Sequence, residues 1–252
     1  MNQDFADRAA LITGSGNGIG RAVAILLAAR GAFVGVHYRS SQSSAEQTLQ
    51  EIEAAGGKGV LVRGDIANEE EANAIVDTFV AAAGRLDVLV NNAGEPIDRS
   101  SIEDCTTELW RQVIDTNLTG TFFVTRRAIP HLRASGNGAI VNNLSLSVQT
   151  GGAKGAGAYA AAKGGIQVMT RTLARELAPE VRTNAVMPGV IETRHHEEFS
   201  TPERMAEYRR QTPLGRNGTP DEVATTIAFL ASNDASFLNG SLVDINGGRF
   251  LR

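Results

Sequence analysis

The chain has 252 residues, 42% hydrophobic and 21% charged, with a formal net charge of −4; that length suits one α/β domain. The balance of charge carries no basic excess, which argues against nucleic acid or an anionic membrane surface as a partner. The longest apolar run, residues 22–29, is too short to span a bilayer, and the start lacks the pattern of a secretory signal, so the expected location is cytoplasmic.

In chain order, RAALIT (8–13) predicts the first strand, and TGSGNGIG (13–20) follows it directly. Gly14, Gly18 and Gly20 have the spacing of a tight strand-to-helix turn whose backbone amides can approach an anion at a helix N-terminus. Such a turn needs glycine for steric reasons alone as well. No Gly-Lys-Ser/Thr follows, so a nucleoside-triphosphate loop is not supported. Ile19, Val23, Leu26 and Leu27 then recur at helical spacing, and AFVGVH (32–37) predicts the second strand.

At the end of that strand a dinucleotide site reads the adenosine ribose. An acid there suits a free 2′-hydroxyl and an arginine suits a 2′-phosphate. The chain offers HYRSS, with Tyr38, Arg39 and Ser40 and no acid. This favours NADP over NAD, with Arg39 and Ser40 holding the phosphate through charge-assisted bonds; an ordinary surface arginine is the alternative.

Further strands are predicted over 58–63, 85–91, 138–144, 181–187 and 241–246, with a helix through Ala72, Ile75, Val76 and Phe79. Seven strands alternating with helices predict a parallel sheet covered on both faces, within a single domain spanning 1–252. Residues 188–220 form the long polar excursion, with a short helix near 203–210; loops of this length are usually lids or binding loops. Its Arg194, His195, His196 and Arg209 suit a polar or anionic substrate group, or simply face water. Cys105 is the only cysteine, which excludes an intrachain disulfide and a cysteine-built zinc site. The four histidines lack ligand spacing, and no metal is expected.

GAYAAAKGGIQ (157–167) sets Tyr159 and Lys163 one helical turn apart, in a chain with three tyrosines and three lysines against 21 arginines. Four residues advance one turn plus about 40°, so the two side chains share a face. Tyrosine titrates near 10, and acid/base work near neutrality requires a nearby ammonium to bring it down. The pair meets that need only if it is partly buried.

With the glycine loop, NNAG at 91–94 and YAAAK at 159–163 in this order, the chain resembles the short-chain dehydrogenase/reductase family along essentially its whole length. PLGRNGTPDEVA (213–224) and VDINGG (243–248) are similar to its 3-oxoacyl-acyl-carrier-protein reductase branch. The resemblance implies a Rossmann fold with a seven-stranded parallel sheet, a nicotinamide cofactor, a small carbonyl or alcohol substrate, and a homotetramer. It implies cofactor contacts at Gly14, Ser15, Asn17 and Ile19, at Asp65 and Ile66 beside the adenine, at Asn92, Ala93 and Gly94, and at Pro188, Gly189, Ile191 and Thr193. Many NADP-using relatives place a basic residue where this chain has Asn17.

By the same resemblance Tyr159 is the acid/base, Lys163 lowers its pKa and holds the nicotinamide ribose, and Asn117 in DTNLTG helps organise a proton-relay water. A second donor to the substrate oxygen is expected at the end of the fifth strand, where Ser145 matches the family serine and Ser147 competes with it. The leading function is an NADP(H)-dependent carbonyl reductase or alcohol dehydrogenase, with 3-oxoacyl-thioester reduction as one form. Alternatives are an NAD-dependent alcohol, sugar or steroid dehydrogenase and, from another class, a non-catalytic dinucleotide sensor, which would have no need of both Tyr159 and Lys163.

Overall fold

The computed structural model describes residues 3–193 and 201–251. Strands β1 (Ala9–Ile12), β2 (Phe33–Tyr38), β3 (Lys58–Arg63), β4 (Val88–Asn91), β5 (Gly138–Asn143), β6 (Val181–Pro188) and β7 (Leu242–Ile245) form one sheet. Its order is β3-β2-β1-β4-β5-β6-β7, and every pairing is parallel. The helices are α1 (Gly18–Ala29), α2 (Gln42–Ala54), α3 (Glu69–Ala83), α4 (Thr107–Ile114), α5 (Gly120–Ala134), α6 (Ser147–Thr150), α7 (Gly157–Glu176), α8 (Pro202–Arg210) and α9 (Pro220–Ala231). None among the described residues is long and apolar enough to cross a membrane.

Successive strand residues point to opposite faces, and both faces are covered, so the strands are mostly apolar, with polar residues such as Asn91, Asn142 and Asn143 gathered at their carboxyl ends. Ala10, Ile12, Val88 and Val90 pack on one side with Val23 and Leu27 of α1, Ile52 of α2, and Val223 and Ile227 of α9. Leu11, Leu89 and Ile140 pack on the other with Ile75 and Phe79 of α3, Val124 and Leu132 of α5, and Leu173 of α7. Each fully buried Leu, Ile or Phe contributes roughly 1.5–3 kcal/mol. The helix ends are specified locally: Asn68 accepts the amide of Glu71 at the start of α3, Gly84 ends it in the left-handed region, and Thr219 and Glu222 form a reciprocal capping box on α9.

Two features position the site. The chain winds outward from β1 through β2 to β3, then returns to lay β4 against the other edge of β1, which opens a crevice at their carboxyl ends. Between α4 and α5 the helix widens into a π-helical turn, Asp115–Thr119, with buried Asn117 inside it. The Asn117 amide donates to Val113 O (2.9 Å) and to Glu95 O (2.8 Å), tying the helix to the segment after β4.

Candidate active site

A cleft of about 790 Å³ lies at the carboxyl ends of the strands, within the usual range for ligand sites. The loop after β1 and the segment after β4 form its floor, clipped together by Thr13: its Oγ1 accepts the amides of Asn92 and Ala93, each at 3.0 Å. Gly14 has φ +63°, and a Cβ there would lie 2.9 Å from Ala93 Cα, so only glycine fits. Asn17 precedes α1 in extended conformation and its side chain makes no capping bond. The first-turn amides of α1 are thus left for an outside acceptor.

Of the residues expected at the cofactor, Gly14, Asn17, Gly18, Ile19, Tyr38, Arg39, Ser40, Asp65, Ile66, Asn92, Ala93, Gly94, Pro188, Gly189, Ile191 and Thr193 line the cleft. Ser15 and Gly20 do not. Ser15 is fully buried beneath the loop, its hydroxyl donating to Ile12 O (2.7 Å) and accepting the His37 amide (2.8 Å). Gly20 packs α1 against the loop, where a Cβ would collide with Gly14 O and Asn92 Nδ2. Asn92 spends its amide on Thr13 O (2.9 Å) and Gly14 O (3.0 Å), so its contribution is to hold the loop.

His37, which sequence reasoning set aside, completes this brace. Its Nδ1 accepts the Gly14 amide at 2.9 Å and its Nε2 faces Gly64 O at 3.0 Å, an arrangement that requires the neutral ring protonated on Nε2. Burial lowers its pKa to about 4, in keeping with that form. Only the alternation of β2, which turns residue 37 towards the loop, hinted at it.

Arg39 projects from the end of β2 across the cleft. Its guanidinium bonds Glu95 (3.0 Å) and approaches Asp65 (3.9 Å), all three side chains standing partly in solvent. The arginine expected to read a phosphate is therefore held by carboxylates of the protein.

The catalytic candidates converge from three elements. Ser145 follows β5 with its side chain beside the Tyr159 hydroxyl, where it favours the phenolate; Ser147 donates its amide to Ser145 Oγ (3.1 Å), while its own hydroxyl is buried without a partner. Lys163 is buried, donates to Asn143 O (2.8 Å) and lies 5.6 Å from the Tyr159 ring centre. Asn117 Oδ1 is buried and unpaired, and a Cβ on Gly94 would lie 2.5 Å from it and 3.2 Å from Lys163 Nζ. Asn117 sits behind the cleft wall.

The electrostatics differ from the expectation that lysine depresses the tyrosine. Among the protein's own groups burial dominates: it raises Tyr159 to about 12, against the downward pull of the Ser145 bond, and lowers Lys163 to about 8. The Lys163 ammonium stands 5.6 Å from the Tyr159 ring centre, and a positive charge there favours the phenolate, opposing the effect of burial.

On the substrate side, Tyr208 of α8 and Arg249 line the cleft, whereas the neighbouring Arg209 is exposed. Arg194, His195 and His196 lie outside the described residues. Among the described residues no group of His, Cys, Asp or Glu could hold a metal ion.

A family model described as enoyl-(acyl carrier protein) reductase matches residues 14–249. The chain is 38% identical over 245 residues to a 3-oxoacyl-[acyl-carrier-protein] reductase of Staphylococcus aureus, covering 97% of this chain and 98% of that one. It is 37% identical over 257 residues to 3beta-hydroxysteroid dehydrogenase 1 of Eggerthella lenta, covering 100% and 97%. Among solved structures, an NADH-dependent reductase responsible for alginate metabolism superposes with a TM-score of 0.91 at 33% identity, covering 99% and 100%.

Proposed function

The chain belongs to the short-chain dehydrogenase/reductase family, and we propose that it is an NADP(H)-dependent oxidoreductase interconverting a carbonyl and a secondary alcohol through Tyr159. One observation carries this reading: Ser145, Tyr159 and Lys163 meet on the wall of a cleft whose floor is a glycine cradle shaped for a dinucleotide. The cradle fits such a cofactor because Gly14, Asn17, Gly18 and Ile19 line it and because the α1 amides have no capping side chain. A nicotinamide dinucleotide, when bound, supplies or accepts the hydride.

The protein's groups handle the proton. With Tyr159 near 12 and Lys163 near 8, both are protonated at neutral pH. Tyr159 is therefore set to donate to the oxygen of a carbonyl, with Ser145 as the second donor that fixes and polarises it. As the tyrosine gives up its proton, the Lys163 ammonium stabilises the phenolate. Lys163 sits close enough to neutrality to pass a proton on, and the unpaired Asn117 Oδ1 beside it is free to accept a hydrogen bond from a water that would carry that proton onward.

Arg39 at the ribose end supports NADP(H). A second reading, NAD(H), is favoured by the Glu95 carboxylate already bonded to Arg39 and by the NADH dependence of the alginate-pathway relative. Titration of the protein with NADPH and NADH separates the two. The proposal extends to a homotetramer, for which Phe122 on α5 and Val168 on α7, 42% and 63% exposed, offer an apolar surface. Light scattering would test it.

The activity is tested with Tyr159→Phe, assayed with both cofactors on a panel of activated ketones. The expected result is loss of turnover with cofactor binding intact; turnover equal to wild type would refute the mechanism.

A further inference from the structure

Arg99 lines the same cleft, on the loop after β4. The Ser100 amide donates to Gly155 O (3.1 Å), and the Arg99 Cβ lies 3.1 Å from where a Cβ on Gly155 would be. Gly155 is four residues before Tyr159, so this clip fixes Arg99 beside the segment that delivers the catalytic tyrosine.

Its guanidinium is unlike the other cations of the cleft. Arg39 is bonded to Glu95, Lys163 to Asn143 O, and Arg249 to Gln211 Oε1 (2.8 Å) while lying over the Tyr208 ring. Arg99 makes no ion pair among the described residues, and its Nη1 is buried without a hydrogen-bond partner. The hydroxyl of Ser147, which also lines the cleft, is likewise buried and unpartnered. Leaving a charged donor buried and unsatisfied is costly unless something meets it. The described acids of the cleft, Asp65 and Glu95, are turned to Arg39 at the other end.

We infer that Arg99 receives an anionic group of the substrate, a carboxylate in the first instance, with Ser147 as its companion donor. The substrate class is then an oxo acid or hydroxy acid, held so that its carbonyl or carbinol faces Tyr159. A guanidinium suits this task because its fork matches the two carboxylate oxygens. The inference rests on the oxidoreductase reading above and adds the substrate's charge to it.

The test uses pyruvate, acetoacetate and levulinate, each beside its methyl ester, with wild type, Arg99→Met and Arg99→Lys. Both kcat/KM and the calorimetric binding of each acid to the cofactor-saturated protein are measured. The expected wild type prefers at least one acid over its ester by tenfold or more. Arg99→Met should remove that preference through KM, leave the ester rate and the cofactor Kd unchanged, and abolish acid binding; Arg99→Lys should keep part of it. The inference is overturned if the esters are preferred, if Arg99→Met slows acid and ester alike, if it weakens cofactor binding, or if wild type binds none of the acids. Turnover indifferent to Tyr159→Phe would instead overturn the oxidoreductase reading, whatever Arg99 does to acid binding.

Discussion

His37 gives the glycine loop a dependence on acid that can be isolated in one substitution. In the folded protein burial holds its imidazole near 4, whereas in the unfolded chain it titrates near 6.5. Acidification therefore adds a proton to the unfolded chain first. The stabilisation is complete above pH 6.5, declines as the pH falls towards 4, and is lost below it. From these two values the loss is about 2 kcal/mol at pH 5 and about 3 kcal/mol by pH 4. His37→Asn keeps a carbonyl oxygen to accept the Gly14 amide and removes the titrating ring. It leaves Gly64 O without its donor, a cost of about 1–3 kcal/mol that does not vary with pH. Urea unfolding of both proteins at pH 7.5 and pH 5 should show wild type losing about 2 kcal/mol more than the variant. Equal losses would refute the assignment, as would an NMR titration placing His37 near 6.5 in the folded protein.

The remaining predictions concern the cleft. Glu95→Gln frees Arg39 from an exposed ion pair worth about 0.5–1 kcal/mol, so NADPH should bind about two- to fivefold more tightly with NADH unchanged; an unaltered ratio of the two dissociation constants would remove Arg39 from phosphate recognition. Gly94→Ala pushes a methyl group against Asn117 and Lys163, and a displacement of about 1 Å there should lower kcat by about 100-fold, whereas an undiminished kcat would mean that neither side chain needs its present place. Ser145→Ala should cost about 100-fold or more in kcat, the scale of a lost oxyanion donor, while Ser147→Ala should alter mainly KM; the reverse pattern would exchange the roles of the two serines.

Much of the architecture was legible because it depends on local pattern. The seven apolar runs appear as seven strands with ends shifted by at most three residues, since a strand buried on both faces draws apolar residues to both and reads as a continuous run. The same holds for Tyr159 and Lys163, whose spacing is a property of one helix. What the sequence withheld depends on partners far along the chain. Arg39 and Arg99 are equivalent as letters, yet one meets a carboxylate 56 residues away and the other meets none among the described residues. Ser15 and Gly20 belong to the glycine motif, but the turn buries one and packs the other against its own carbonyl. His37 gave no motif at all, because its role is a ring bond to an amide 23 residues earlier.

The π-helical turn at Asp115–Thr119 sets the rotation of everything that follows it in α5. Each residue of an α-helix turns the chain by about 100°, so the turn acts as a one-residue insertion whose angular offset every later position of α5 inherits. Val124, Ala128 and Leu132 face the core only with that offset in place. Deleting one residue to restore a regular helix would swing all three from the core towards solvent, so reversion would require α5 to be rewritten at once. The turn that seats Asn117 beside Lys163 is therefore also what holds the core face of α5 in register.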